Sequence, residues 1–203
     1  MGVVGEILVK YSPQANNSVV QVLEDEGAEA IVPDMMDFFI YCAYDLIYKR
    51  HTLDGSKRQY FSGRVLISLL EFFRKEMKAA LEKSELFDPP PSIYTQAERA
   101  SKILSLGRHT GEGWLLTAEM IELIEHGAPN IVCVQPFACL PNHVTGKGMI
   151  RDLRRHYPQA NIAAIDYDPG ASEVNQLNRI KLMLSIAFKN ANHLSKKFLL
   201  NPG

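Results

Sequence analysis

Apolar residues along this chain cluster in short runs, and each run is followed by a stretch of helical periodicity. Ile7-Leu8-Val9 and Ala30-Ile31-Val32 read as strands of the type buried in a parallel sheet. Ser12-Pro13 offers an N-cap and a first-turn proline, Val19, Val20 and Leu23 follow at helical spacing, and Gly27 is placed to end that helix. Asp34 is expected to cap a second helix running to about Arg50. Apolar residues from Met35 to Ile47 wrap most of that helix, which predicts cover on more than one side.

The middle of the chain has helical periodicity and no strand pattern. Val65, Leu66, Leu69, Leu70, Phe73, Met77 and Leu81 mark a long amphipathic helix, stopped before Pro89-Pro90-Pro91. Thr95 with Glu98 fits a capping box for a helix through Leu104, and Trp114 to His126 predicts another, ended by Gly127. The last third repeats the opening pattern. Ile131 to Val134 and Ile162 to Ile165 are strand runs; the first leads through the loop Gln135 to Pro141 into a helix reaching Tyr157. Ser172 is expected to cap a final helix with Val174, Leu177, Lys181, Leu184 and Phe188 on one stripe.

These elements predict an α/β chain: a small, four-stranded parallel sheet, Rossmann- or flavodoxin-like, with a helical middle segment. The whole reads as a single domain, residues 1–203. It comprises a β-α-β-α unit over 1–55, a helical segment over 56–127, a second β-α-β-α unit over 128–190 and a tail over 191–203. Ligands of such sheets meet the carboxyl ends of the strands. Chemistry is therefore expected at Tyr11-Ser12, Pro33-Asp34, Gln135 to Asn142, and Asp166 to Gly170.

Composition narrows the function classes. Of the 203 residues, 46% are hydrophobic and 22% charged, enough apolar material for a core. A formal charge of −1 supplies no field to attract nucleic acid or an anionic membrane. No apolar run approaches the roughly 20 residues of a membrane span, and the first residues lack a signal-peptide pattern. Cys42, Cys133 and Cys139 are too few and too oddly spaced for a disulfide framework, so a reducing, cytoplasmic setting is expected.

The loop Gln135-Pro136-Phe137-Ala138-Cys139-Leu140-Pro141-Asn142-His143 carries the most chemistry. It places Cys139 near a helix N-terminus, where thiolate, the form that binds metal or attacks electrophiles, is favoured. His143 follows by about one helical turn. The plainer alternative makes Cys139 an apolar filler of a turn and His143 a surface residue. Cys42 and Cys133 are expected to be small core residues. No CxxC pair occurs, which excludes a zinc ribbon or a self-contained ferredoxin-type cluster. Gly146-Lys147-Gly148 is not a phosphate loop, because Pro141 stands where the first glycine belongs and Gly148 where Ser or Thr belongs. His109 with Gly111-Glu112-Gly113 fits a turn opening a helix as well as a ligand contact. Asp166 and Asp168 fit helix capping as well as general-base or metal roles. Arg151, Arg154 and Arg155 form a basic cluster expected on a solvated face.

Three blocks extend the picture: VGEILVKYSPQANNSVVQVLEDEGAEAIVPD, GEGWLLTAEMIELIEHGAPNIVCVQPFACLPNH and IDYDPGASEVNQLNRIKLMLS. From about Val4 to Phe188 the chain resembles the C-terminal region of the large 2-hydroxyacyl-CoA dehydratase activators, also called CoA-substrate-specific enzyme activases. It is similar as well to the dehydratase subunits, which carry a [4Fe-4S] cluster between Rossmann-like lobes. In those relatives a Pro-Phe-x-Cys-x-Pro loop supplies a cluster cysteine, and Pro136 to Pro141 matches it. The resemblance thus implies Cys139 as a metal ligand in a redox module for ATP-driven electron transfer. The other cysteines would come from a preceding lobe and ATP hydrolysis from an ATPase domain, on the same or a companion chain. A dehydratase is the implied downstream partner. Alone, the domain is expected to hold no cluster, to hydrolyse no ATP and to catalyse nothing. The alternatives are a scaffold or docking domain that binds no metal, and a free-standing enzyme using His143, Asp166 or Glu112.

Overall fold

The computed structural model describes residues 1–52 and 55–200, with 192–200 as backbone only. The elements are β1 (Gly2–Gly5), α1 (Ile7–Tyr11), α2 (Val19–Asp25), α3 (Met35–Thr52), α4 (Lys57–Leu81), α5 (Ile93–Ser101), α6 (Gly113–Glu125), β2 (Asn130–Gln135), α7 (Leu140–Thr145), α8 (Ile150–His156), β3 (Asn161–Asp166) and α9 (Glu173–Leu200). They fall into two compact units. One joins Met1–Pro33 to Glu119–Gly203 and the other is Asp34–Ala118, with the division inside α6. The expected 1–55 unit is thereby split, and α3 belongs with the helical segment. The expected tail is helical as far as Leu200, and 201–203 lie outside the described residues.

The first unit is built on a parallel sheet in the order β1-β2-β3. Val3 pairs with Val132, and Val132 with Ala163. Among the described residues the sheet has three strands rather than four, and two of the four expected runs explain the difference. Ile7-Leu8-Val9 is helical: Glu6 accepts from the Val9 N–H at 2.8 Å and starts α1, so the strand is the preceding Gly2–Gly5. Ala30-Ile31-Val32 shrinks to a single bridge, Ile31 to Gly2, on the free edge of β1. The Val3 N–H donates to Ile31 O at 2.9 Å and the Ile31 N–H to Met1 O at 2.7 Å. Pro33, two residues on, has no N–H with which to extend that ladder.

Side chains alternate across the sheet. Val3, Val132, Val134 and Ile165 face a core completed by Val19 and Leu23 of α2 and by Ile180, Met183 and Leu184 of α9. The expected stripe on α9 is met in part: Leu184 is buried and Leu177 half-buried, but Val174, Lys181 and Phe188 are exposed, while Ile180, Met183 and Ala187 are buried. Ser12 ends α1 rather than starting α2, which begins after Ser18 in a left-handed conformation. Gly5 is the tightest point. Its φ is +144°, and an added Cβ would collide with the carbonyl oxygen of Val134 on the neighbouring strand.

The second unit packs α4 and α5 on α3. Asp34 caps α3, accepting from the Met36 N–H at 2.9 Å. Ser92, not Thr95, is the N-cap of α5. The Gly111–Gly113 turn opens α6, with both glycines at positive φ and the Trp114 N–H donating to Arg108 O at 2.8 Å. Cys42 on α3 is exposed, which corrects its assignment to the core; Cys133 on β2 is buried as expected. Of the apolar stripe predicted for α4, Val65, Leu66, Leu69, Phe73 and Met77 are exposed. The face of α4 toward α3 instead carries Gly63, Ile67 and Arg74. Gly63 permits the close approach, since a Cβ there would lie 2.6 Å from the Ala43 carbonyl oxygen. Arg74 fixes it, donating to Asp37 at 2.8 Å and to Asp34 at 3.2 Å while only 5% exposed. No described helix is long and apolar enough to cross a membrane.

Candidate functional site

The carboxyl ends of β2 and β3 meet at a polar cluster. Gln135, the last residue of β2, is fully buried, and its amide donates to Asp166 Oδ1 at 2.7 Å. Asp166 is its ladder partner at the end of β3. The Asp166 carboxylate also has Lys147 Nζ at 3.8 Å, and its carbonyl accepts from Gln176 Nε2 at 2.9 Å. Gln176 accepts in turn from Asn17 at 2.9 Å. Asp166 thus ties the end of β3 to β2 through Gln135 and to α9 through Gln176, with Lys147 of the turn after α7 beside its carboxylate.

From Gln135 the chain turns sharply. Ala138 sits at φ +60°, uncommon for a residue with a Cβ, and the Phe137 N–H donates to the Asp168 carboxylate at 3.0 and 3.2 Å. Asp168 therefore holds the loop in place. Cys139 is the N-cap residue of α7, and its carbonyl accepts the His143 N–H at 2.9 Å. Its sulfur, half-buried, receives Asn142 Nδ2 at 3.3 Å. His143 Nδ1 lies 3.1 Å from the Cys139 carbonyl oxygen and 3.5 Å from Gln135 Nε2. The carbonyl oxygen can only accept, so in the shorter contact Nδ1 is the donor. Phe137 and Leu140, 70% and 72% exposed, flank the cysteine.

Sequence spacing predicts one helix from this loop to Tyr157, and the structure breaks it. The chain leaves α7 at Gly146, makes a 3₁₀ turn over Lys147–Met149 and resumes as α8. Gly148 passes so close to His143 that a Cβ would lie 2.8 Å from its carbonyl oxygen. Gly148 thus serves backbone packing, and Gly146 ends α7. Six residues of α7 supply far fewer aligned peptide dipoles than the long helix expected.

Glu112 and His109 belong to the other unit, where His109 Nδ1 lies 3.0 Å from Asp45 Oδ1. Arg154 donates to the Ile162 carbonyl at 2.8 Å, Arg155 pairs with Asp152 on the surface of α8, and Arg151 is exposed. Sequence reasoning leaves unnamed a buried ion pair in the first unit, Lys10 Nζ to Glu119 Oε1 at 2.9 Å, with both side chains under 5% exposed. Burial works against the Lys10 ammonium, but Glu119 and Tyr11 beside it outweigh that and hold its pKa above the ordinary lysine value. A lone charge within each of the apolar stretches ILVKY and WLLTAEMI was the available signal.

A [4Fe-4S] cluster takes four thiolates. Cys139 can present one. Cys133 is sealed in the sheet and Cys42 belongs to the other unit. Among the described residues no three His, Cys, Asp or Glu side chains form a group able to hold a metal ion. Comparison with protein-family models, curated proteins and solved structures finds no match for this chain.

Proposed function

We propose that this chain is a domain of a 2-hydroxyacyl-CoA dehydratase activator-type protein, and that Cys139 gives one thiolate to a [4Fe-4S] cluster completed by another lobe. That lobe supplies the remaining cysteines, and an ATPase domain of the same or a companion chain drives electrons toward a dehydratase in the cytoplasm. The observation that carries the reading is the placement of Cys139. A half-buried thiol stands at the carboxyl end of β2, between two exposed apolar side chains, on a loop bent through a left-handed alanine. Strained backbone persists where surrounding contacts over-determine it, and Asp168 and Asn142 supply such contacts here. The amide directed at the sulfur is also the kind of hydrogen bond that tunes a ligated thiolate. Docking a second lobe over Phe137 and Leu140 would bury their exposed surface and close the cluster from water.

A scaffold or docking domain without metal is the second reading, favoured by the lack of any group of three His, Cys, Asp or Glu side chains able to hold a metal ion among the described residues. Alkylation of the assembly separates the two. With the cysteine-bearing lobe and ATPase domain present and iron and sulfide loaded anaerobically, Cys139 should resist iodoacetamide while Cys42 reacts as before. Equal labelling of Cys139 in the loaded and metal-free assemblies would reject the ligand role and leave the scaffold.

A further inference from the structure

The outward face of α4 points to a second copy of this chain as its occupant: we propose that two chains pair through antiparallel α4 helices. Phe61, Val65, Leu66, Leu69, Phe72 and Phe73 are 68, 49, 41, 49, 70 and 73% exposed, all on the side turned away from α3. With Phe side chains each worth about 150–250 Å², the patch amounts to roughly 600–700 Å² per chain. That exceeds the roughly 300–600 Å² of a typical monomer's largest apolar patch and nears the about 800 Å² per partner of a stable interface.

The order of residues along this face says what covers it. Arg58, Val65 and Phe72 are seven apart, and so are Ser62, Leu69 and Glu76; together they interleave as the a and d positions of a two-stranded coiled coil. Leu66 and Phe73 flank one side of that seam and Phe61 the other. In an antiparallel pair each a position meets a d position of the other helix. One register then satisfies every layer: Val65 against Leu69 at the centre, Phe72 against Ser62 further out, and Arg58 against Glu76 at both ends. Opposite charges thus close both ends of an apolar seam, and two-fold symmetry makes each contact twice. A parallel pair would instead oppose Arg58 to Arg58 and Glu76 to Glu76. The pattern matches itself, which a surface for an unrelated partner has no reason to do. Because Arg74 and Ile67 lie on the opposite side, pairing leaves the contact with α3 intact.

The test uses the full chain in sedimentation velocity and light scattering between about 1 and 100 µM. The native protein should be dimeric at the upper end. Leu69→Asp should be monomeric throughout, with unchanged far-ultraviolet circular dichroism, since the residue is exposed. Arg58→Glu, which sets like charges together at both ends, should weaken dimerisation about tenfold or more. Combining Arg58→Glu with Glu76→Arg should restore it. A native chain still monomeric at 100 µM would leave the face to another protein or lobe and overturn the proposal. A dimer indifferent to Leu69→Asp, or one not restored by the charge exchange, would overturn it equally.

Discussion

Arg74→Met should be among the most destabilising single changes in the helical unit, and its cost should depend on pH. The guanidinium is 5% exposed and donates to Asp37, whose side chain is 8% exposed, at 2.8 Å; the other Asp37 oxygen accepts from Gln96 Nε2 at 3.0 Å. Asp34 at 3.2 Å and Glu71 at 3.7 Å are 44% and 29% exposed, so solvent screening makes them minor. Methionine keeps the apolar stem of the side chain but leaves Asp37 buried with an amide as its remaining partner. Breaking such a pair typically costs about 3–5 kcal/mol, a large part of the roughly 5–15 kcal/mol that holds a domain together. Burial already pushes the Asp37 carboxyl above its usual range, with Arg74 pulling it back. Removing Arg74 should raise it further. A carboxyl whose pKa is raised by folding binds protons more readily in the native state. It therefore destabilises the fold as pH climbs from its unfolded value through its folded value, and not below. The deficit of Arg74→Met should be largest near pH 7 and shrink toward pH 4. Urea unfolding of both proteins at pH 7 and pH 4.5 measures this. A deficit under about 1 kcal/mol at pH 7, or one unchanged at pH 4.5, would refute the argument.

Gly5→Ala should lower the melting temperature by roughly 5–10 °C, combining about 2–4 kcal/mol from positive φ and from the collision with the Val134 carbonyl. A shift below about 2 °C in a circular-dichroism melt would contradict that placement. Lys10→Met should cost about 3 kcal/mol in urea unfolding by removing the ammonium that pairs with the buried Glu119 carboxylate, and adding Glu119→Leu should recover most of it. No recovery would mean that packing, not charge, holds the pair's place. Iodoacetamide should modify Cys42 and Cys139 in the native protein and reach Cys133 only on unfolding. Partial desolvation and the Asp45 carboxylate push the Cys42 thiol above its ordinary value, so its labelling should accelerate steeply as pH rises past neutrality. Native labelling of Cys133 would place β2 incorrectly.

Legibility in the sequence followed the strength of the local signal. The runs Ile131 to Val134 and Ile162 to Ile165 became β2 and β3, because continuous apolar strands between capped helices have few other uses. Ile7-Leu8-Val9 has the same composition but lies in α1, since Glu6 caps its first turn and the strand falls on Gly2–Gly5. Two glycines there hide a strand whose position is set by pairing with β2. Helix α4 shows a second limit. Its apolar periodicity located the helix but not its buried side, which Gly63 and a salt-bridged Arg74 occupy. Periodicity reports an apolar face, not which partner it meets. At the site, the loop and Cys139 were visible, whereas the partners of Cys139 were not. Asn142 reaches the sulfur from the first turn of α7, and Asp168 holds the loop through the Phe137 N–H, a contact that depends on the turn at Ala138 bringing the loop to the end of β3.

Iron and sulfide content of the assembled protein bears most directly on the role given to Cys139. The chain should be combined anaerobically with the cysteine-bearing lobe and the ATPase domain, reconstituted, and compared with the same assembly carrying Cys139→Ser. Native assembly should bind about four iron and four sulfide per cluster site, as a [4Fe-4S] cluster requires. The serine variant should lose much of that iron, while Cys42→Ser retains it. Iron and sulfide unchanged by Cys139→Ser would contradict the account.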